Sequence, residues 1–200
     1  KRQPSSLAVS VNGSNISCFN DCDGSATVVA SGGTPNYSFV WNDPNAQTTA
    51  TASNLCTGSY TVTVSDNNGC TETSSISLSE PSVLSNTLST NNASCYGSCD
   101  GTASIVVSGG SPGYSYQWND LAFQTTPIAS NLCAGSYSVT VTDTNGCVDI
   151  TSVVISEPPP IILTTSSVNS NCGNNDGQIS VVASGGNPGC LLYTSDAADD

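Results

Sequence analysis

One string of residues occurs twice. Gly58-Ser59-Tyr60-Thr61-Val62-Thr63-Val64-Ser65-Asp66-Asn67-Asn68-Gly69-Cys70 returns 77 residues later as Gly135-Ser136-Tyr137-Ser138-Val139-Thr140-Val141-Thr142-Asp143-Thr144-Asn145-Gly146-Cys147. Tyr60, Val62 and Val64 alternate with Thr61, Thr63 and Ser65, the period of a half-buried β-strand. Asn67-Asn68-Gly69 supplies the side chains of a tight turn. The repetition extends well beyond this string. Residues 5–81 align with 82–158 without a gap, and 41 of the 77 positions are identical. A third copy starts at Pro159, keeps Cys172 in place, loses one residue and regains register at Gly177 and Ser184-Gly185-Gly186. Residues 1–4 read as the end of a preceding copy, because Pro4 matches Pro81. Such periodicity makes each unit one structural module and the chain an array.

Within a unit every apolar pattern is a strand. The opening strand runs through Leu7-Ala8-Val9-Ser10-Val11, and a polar loop with Cys18 and Cys22 follows. Ala26–Ala30 makes the next strand, ended by Ser31-Gly32-Gly33-Thr34-Pro35, a strong turn signal. Tyr37, Phe39 and Trp41 share one face of a third strand, and Thr48–Ser53 is a weak fourth. Tyr60–Ser65 and Thr73–Ser79 complete the unit, the last with Ile76 and Leu78 on one face. Short strands with frequent turn signals predict an all-β chain of tandem immunoglobulin-like β-sandwiches. The domains expected are repeat 1 over 5–81, repeat 2 over 82–158 and the opening strands of repeat 3 over 159–189. Glu80-Pro81 and Glu157-Pro158-Pro159-Pro160 contain no Gly, which predicts stiff linkers and a rod.

Charge excludes whole function classes. Fifteen acids stand against two bases, and both bases are at the start, Lys1 and Arg2. A nucleic-acid partner is excluded, since nothing could displace counterions from phosphates. Anchoring on anionic lipid fails for the same reason. No apolar run approaches the roughly 18 residues of a membrane span, so no membrane insertion is expected. With no His and no internal Lys, neither a Ser-His nor a Ser-Lys nucleophile can be assembled, and no enzyme is expected. Ten cysteines at fixed spacings with no histidine beside them point to disulfides in an oxidising compartment. A structural zinc site would ask for tighter knuckles than Cys18-x3-Cys22 with Cys56 and Cys70, so no cofactor is expected.

These residues resemble a known family. Ser31-Gly32-Gly33-Thr34-Pro35-x-Tyr37-Ser38-Phe39-x-Trp41, then Asn54-Leu55-x-x-Gly58-Ser59-Tyr60-Thr61-Val62-Thr63-Val64-x-Asp66-x-Asn68-Gly69-Cys70, then Glu80-Pro81, is similar to the SprB repeat. The second copy matches through Ser108-Gly109-Gly110-Ser111-Pro112, Trp118 and Asn145-Gly146-Cys147. The resemblance implies PKD/SprB-type sandwiches in arrays on very large secreted surface proteins of the Bacteroidetes, among them gliding-motility adhesins. It implies no catalytic residue. The family's usual cysteines match Cys18 and Cys70, which suggests that these two pair, as would Cys95 with Cys147. Cys22 and Cys56, with Cys99 and Cys133, are additions and would form the second bridge. The third copy keeps Cys172 but has lost the counterpart of Cys99, so the two cysteines of that loop need not share a bond. The rival map pairs Cys18 with Cys22 and Cys56 with Cys70.

After Asn187-Pro188-Gly189 the pattern asks for Tyr-x-Tyr-x-Trp, and Cys190-Leu191-Leu192-Tyr193-Thr194-Ser195-Asp196-Ala197-Ala198-Asp199-Asp200 stands there instead. That string resembles a translated sequencing adapter of the kind left at the ends of assembled metagenomic reads. Residues 190–200 are therefore expected to be a non-native tail.

Three further sets of residues compete with plainer readings. Asp21, Asp23 and Asp66 offer the hard oxygens calcium prefers, against ordinary turn chemistry. Trp41 and Trp118 could stack on sugars if exposed, but on a sandwich strand they read as core. Asn12, Asn15, Asn36 and Asn92 begin N-x-Ser sequons and are glycosylation candidates. The expected function is a structural or adhesive module of a surface adhesin or extracellular fibre. Its partners would be neighbouring copies of the repeat or chain, and a surface or glycan ligand. A passive stalk in a secreted enzyme and a carbohydrate-binding module are the alternatives.

Overall fold

The computed structural model describes residues 5–173 and 176–187, so the expectations for 1–4 and for the tail 190–200 lie outside the described residues. Fourteen strands and no helix are formed among the described residues. In the first repeat they are β1 (Ala8–Ser14), β2 (Gly24–Ser31), β3 (Ser38–Trp41), β4 (Thr51–Leu55), β5 (Gly58–Ser65) and β6 (Thr71–Leu78). They make two three-stranded sheets, ordered β1-β2-β4 and β3-β5-β6. The ladders of both sheets are antiparallel, with Val9 opposite Ala30, Trp41 opposite Val62 and Tyr60 opposite Ile76.

This strand order is that of an immunoglobulin-type sandwich without its fourth strand, the first sheet corresponding to A-B-E and the second to C-F-G. Alternation along each strand sends one set of side chains inward. Ala26 and Val28 of β2, Ala52 and Leu55 of β4, Trp41 of β3, Val62 and Val64 of β5 and Leu78 of β6 meet in one core, joined by Ile16. Tyr37, Phe39, Tyr60 and Ile76 pack around its margin. A β-bulge interrupts the β2–β4 ladder. Asn54 stands there at φ 55°, a left-handed conformation that asparagine tolerates better than most residues.

The second repeat forms the same elements: β7 (Ser85–Asn91), β8 (Gly101–Ser108), β9 (Ser115–Trp118), β10 (Ile128–Leu132), β11 (Gly135–Thr142) and β12 (Val148–Ile155). Its sheets are β7-β8-β10 and β9-β11-β12, and Asn131 sits at the equivalent bulge with φ 56°. The third copy contributes the hairpin β13 (Ile162–Val168) and β14 (Gln178–Ser184), with Ile162 opposite Ser184 and Val168 opposite Gln178.

The compact units do not follow the 77-residue boundaries. One comprises Lys1–Ser85 together with Val107–Tyr114 and Thr142–Asp149; the other comprises Asn86–Val106, Ser115–Val141 and Ile150–Asp200. The segments of repeat 2 that belong with repeat 1 carry its Ser-Gly-Gly turn and its Asn145-Gly146-Cys147 turn. Cys18 and Cys147, which both fall within the first unit, are joined by a disulfide.

Candidate functional site

Cys18 lies in the loop between β1 and β2, and local hydrogen bonds set that loop's shape. The Ser17 N–H donates to Asp23 Oδ1 at 3.0 Å and the Ser17 hydroxyl to Asp23 Oδ2. The Asp21 N–H closes a turn onto the Cys18 carbonyl at 3.1 Å. Asn20, at φ 63°, donates its N–H to Glu80 Oε2 at 2.8 Å, and the Ser79 N–H donates to Asn15 Oδ1 at 3.0 Å. The loop is thereby pinned to the end of its own repeat, ready to present Cys18. Repeat 2 builds the same loop through Ser94 and Asp100, Gly97 and Glu157, and Asn92 and Ser156. In the third copy Asn171 likewise donates to Asp176.

The second half of the site is the turn after β11. The Asp143 carboxylate is buried and accepts the N–H groups of Ser111 at 2.7 Å and of Asn145 and Cys147 at 2.9 Å each. Asp143 N–H returns a bond to the Cys147 carbonyl at 3.0 Å. This cage fixes Cys147 in space, and it also draws in the Ser-Gly-Gly turn. Gly110 sits there at φ 59°, and a Cβ on it would strike the Asp143 carboxylate at 2.6 Å.

Cys18 is bonded to Cys147, across 129 residues of sequence. The expected Cys18–Cys70 bond is not made; Cys70 is free and exposed. The cysteine loop and the Asn-Gly-Cys turn of one repeat face different neighbours, and the loop of repeat 1 meets the turn of repeat 2. The Asn145 amide donates to the Ser17 carbonyl at 2.9 Å beside the bond. Cys18, Phe19, Asp21, Val83, Leu84 and Cys147 are among the residues lining an open cleft of about 480 Å³ there. An expected Cys95–Cys147 bond is excluded by the same pairing, although Cys95 is itself disulfide-bonded. Cys22 is bonded to Cys56 and Cys99 to Cys133, each bond staying within its repeat. The rival map, Cys18–Cys22 with Cys56–Cys70, is not formed.

Two of the three calcium candidates, Asp23 and Asp66, are otherwise employed. Asp66 is the buried centre of a cage like that of Asp143, accepting from Thr34, Asn68 and Cys70 at 2.8–2.9 Å. The Thr34 N–H foremost, and those of Cys70 and Asn68, hold its carboxyl below the usual range against the opposing effect of burial. Asp23 is lowered chiefly by the Ser17 hydroxyl, and Asp100 is brought down to about 2 by Ser94 and Ser98. Asp21 is exposed. Among the described residues no three His, Cys, Asp or Glu side chains are grouped to hold a metal ion. Trp41 and Trp118 are 1% and 0% exposed, so neither offers a face to a sugar. All four sequon asparagines are exposed, and Asn15 and Asn92 already accept strand-end N–H groups.

Two supports escaped the sequence reading. Tyr60 and Tyr137, at the starts of β5 and β11, donate to the Cys56 and Cys133 carbonyls at 3.0 Å, the tyrosine corner of immunoglobulin-type sandwiches. Asp43 and Asp120 are buried and accept from the backbone and side chain of Gln47 and Gln124. The shared Asp-x3-Gln spacing was the available signal for the second.

Comparison with known proteins gives a family. The SprB repeat matches twice, over residues 10–46 and 87–123. Both 77-residue units are similar to the SprB repeat. The two matches start 77 residues apart, at the same position of each unit. They end before the Asn54–Cys70 and Asn131–Cys147 strings, which lie outside the matched segments. No curated protein matches the chain. Among solved structures it is similar to one titled for Dscam isoform specificity, at 12% identity and TM-score 0.35, covering 78% of this chain and 46% of that one. It is similar to an amphioxus IgVJ-C2 molecule at 12% identity and TM-score 0.28, covering 78% of this chain and 98% of that one. Murine CEACAM1b gives 13% identity and TM-score 0.31, covering 75% of this chain and all of that one. The fold assignment rests on the strand order and core rather than on these likenesses.

Proposed function

We propose that these SprB repeats are a non-catalytic structural and adhesive segment of a large secreted bacterial surface protein. The observation that carries this reading is the pair of SprB repeats in one 77-residue register, each with its own disulfide. Disulfides persist in oxidising surroundings outside the cytosol. A sandwich with a covalent staple between the loop before β2 and the turn after β4 suits a module that must survive proteases and pulling forces. The acidic, hydroxyl-rich surface suits a module kept soluble at high local concentration. The parent would be an adhesin or fibre of a Bacteroidetes cell, including the gliding-motility type, with neighbouring repeats as the chief partners. The test is antibody labelling of intact cells of the source bacterium. Surface signal that is lost on protease shaving supports the reading. Signal seen only after permeabilisation refutes it.

A further inference from the structure

The bond between Cys18 and Cys147 has two halves, and each half recurs elsewhere in the chain without its mate. The receiving half, built in repeat 2 from Leu84, Asn145 and Cys147, is present in repeat 1 as Leu7, Asn68 and Cys70. These residues, with Gly33, Thr34 and Asp66, line an open pocket of about 290 Å³. Its Asp66 cage is already formed, its thiol is free and exposed, and the Asn68 amide donates at 2.7 Å to Thr34 Oγ1 instead of to a neighbour's carbonyl. The donating half recurs in the third copy. Cys172 is free and exposed beside the Asn171–Asp176 bonds that match Ser17–Asp23. A cleft lined by Cys95, Tyr96, Pro160 and Ile161, the counterparts of Cys18, Phe19, Val83 and Leu84, shows that the same surroundings form at a second cysteine loop.

We propose that the Leu7–Asn68–Cys70 pocket is a docking site for the cysteine loop of another SprB repeat, closed by a disulfide to Cys70, and that Cys172 of a second copy of this chain can fill it. The inference goes beyond the surface-protein reading and does not depend on it. Equivalent residues already make this bond once, so the pocket needs no new geometry, only a loop to fill it. Closure uses a low-molecular-weight disulfide such as oxidised glutathione as oxidant. The Cys70 thiolate attacks it and releases one glutathione thiolate. The Cys172 thiolate then attacks the Cys70 mixed disulfide and releases the second. Both protons leave the cysteines for the released thiolates, and one disulfide is consumed for one formed. Repeats joined this way would form a ladder in which each module is covalently tied to the next.

The purified chain, held in a glutathione redox buffer, is run on non-reducing gels and its cross-linked peptides are mapped by mass spectrometry. A ladder that collapses on reduction and contains a Cys70–Cys172 peptide is expected, with Cys18–Cys147 intact. Cys70→Ser and Cys172→Ser should each cut multimers at least tenfold. Asn68→Leu should slow the ladder several-fold while leaving alkylation of Cys70 by iodoacetamide unchanged. A chain that stays monomeric, a ladder that survives Cys70→Ser, or cross-links dominated by Cys70–Cys70 and Cys172–Cys172 would overturn the proposal. So would an unchanged rate in Asn68→Leu.

Discussion

Repeats 1 and 2 build the same turn around the same buried carboxylate, Asp66 in one and Asp143 in the other, and end it on the same cysteine. Yet Cys70 is a free thiol and Cys147 is bonded. The two cages agree to about 0.2 Å in their shared hydrogen bonds. The difference lies in what faces each turn. Repeat 2 meets the loop of repeat 1 through Cys18 and Ser17. The fate of a cysteine in this array is a property of the joint between modules, and the module itself only positions it.

The comparison can be broken first at the cores. Trp41→Ala and Trp118→Ala remove equivalent fully buried indoles, which also donate to the carbonyls of Thr49 and Thr126 at 3.0 and 2.9 Å. Each should cost about 3–5 kcal/mol in its own repeat, read from denaturant curves. Equal losses are expected if the sandwiches are independent copies. At the joint the two repeats should diverge. Cys147→Ser removes a bond spanning 129 residues and should lower stability by about 2–4 kcal/mol. Cys70→Ser should stay within about 0.5 kcal/mol, as for an exposed residue without a bond.

Acid offers a milder comparison. Asp100 titrates near 3.8 in the unfolded chain and at about 2 in the folded one, held down first by the Ser94 hydroxyl. A depressed carboxylate stabilises above its unfolded pKa, and that contribution is lost as protons bind. Stability should therefore hold down to about pH 4 and fall between pH 4 and 2. Thermal melts across that range would show it, and a Ser94→Ala variant should show a shallower fall. A further small effect is expected at the bulges. Asn54→Ala or Asn131→Ala forces alanine into the left-handed region and should cost about 1 kcal/mol, whereas Asn→Gly at either site should be near neutral by the same melts.

Much of a single repeat was legible in the sequence. The alternation of Tyr60, Val62 and Val64, the Ser31-Gly32-Gly33 turn and the inward Trp41 depend on neighbours within one sheet or one hairpin, and the strands lie within a few residues of where the pattern puts them. The burial of both tryptophans follows from that same local alternation. What the pattern could not reveal is which cysteines face each other across a joint. Cys18 and Cys70 recur with the same period, so a bond within a repeat and a bond to the next repeat leave the same sequence trace. The tyrosine corners and the Asp43–Gln47 and Asp120–Gln124 pairs were hidden differently. Each turns on a side chain reaching a backbone group that only the folded turn presents.

The most direct measurement is a peptide map of the chain digested without reduction, after free thiols have been blocked. A Cys18 peptide linked to a Cys147 peptide, with Cys70 carrying the blocking group, is the predicted result. Cys18 linked to Cys70 would mean that each repeat closes on itself and that no bond joins one module to the next.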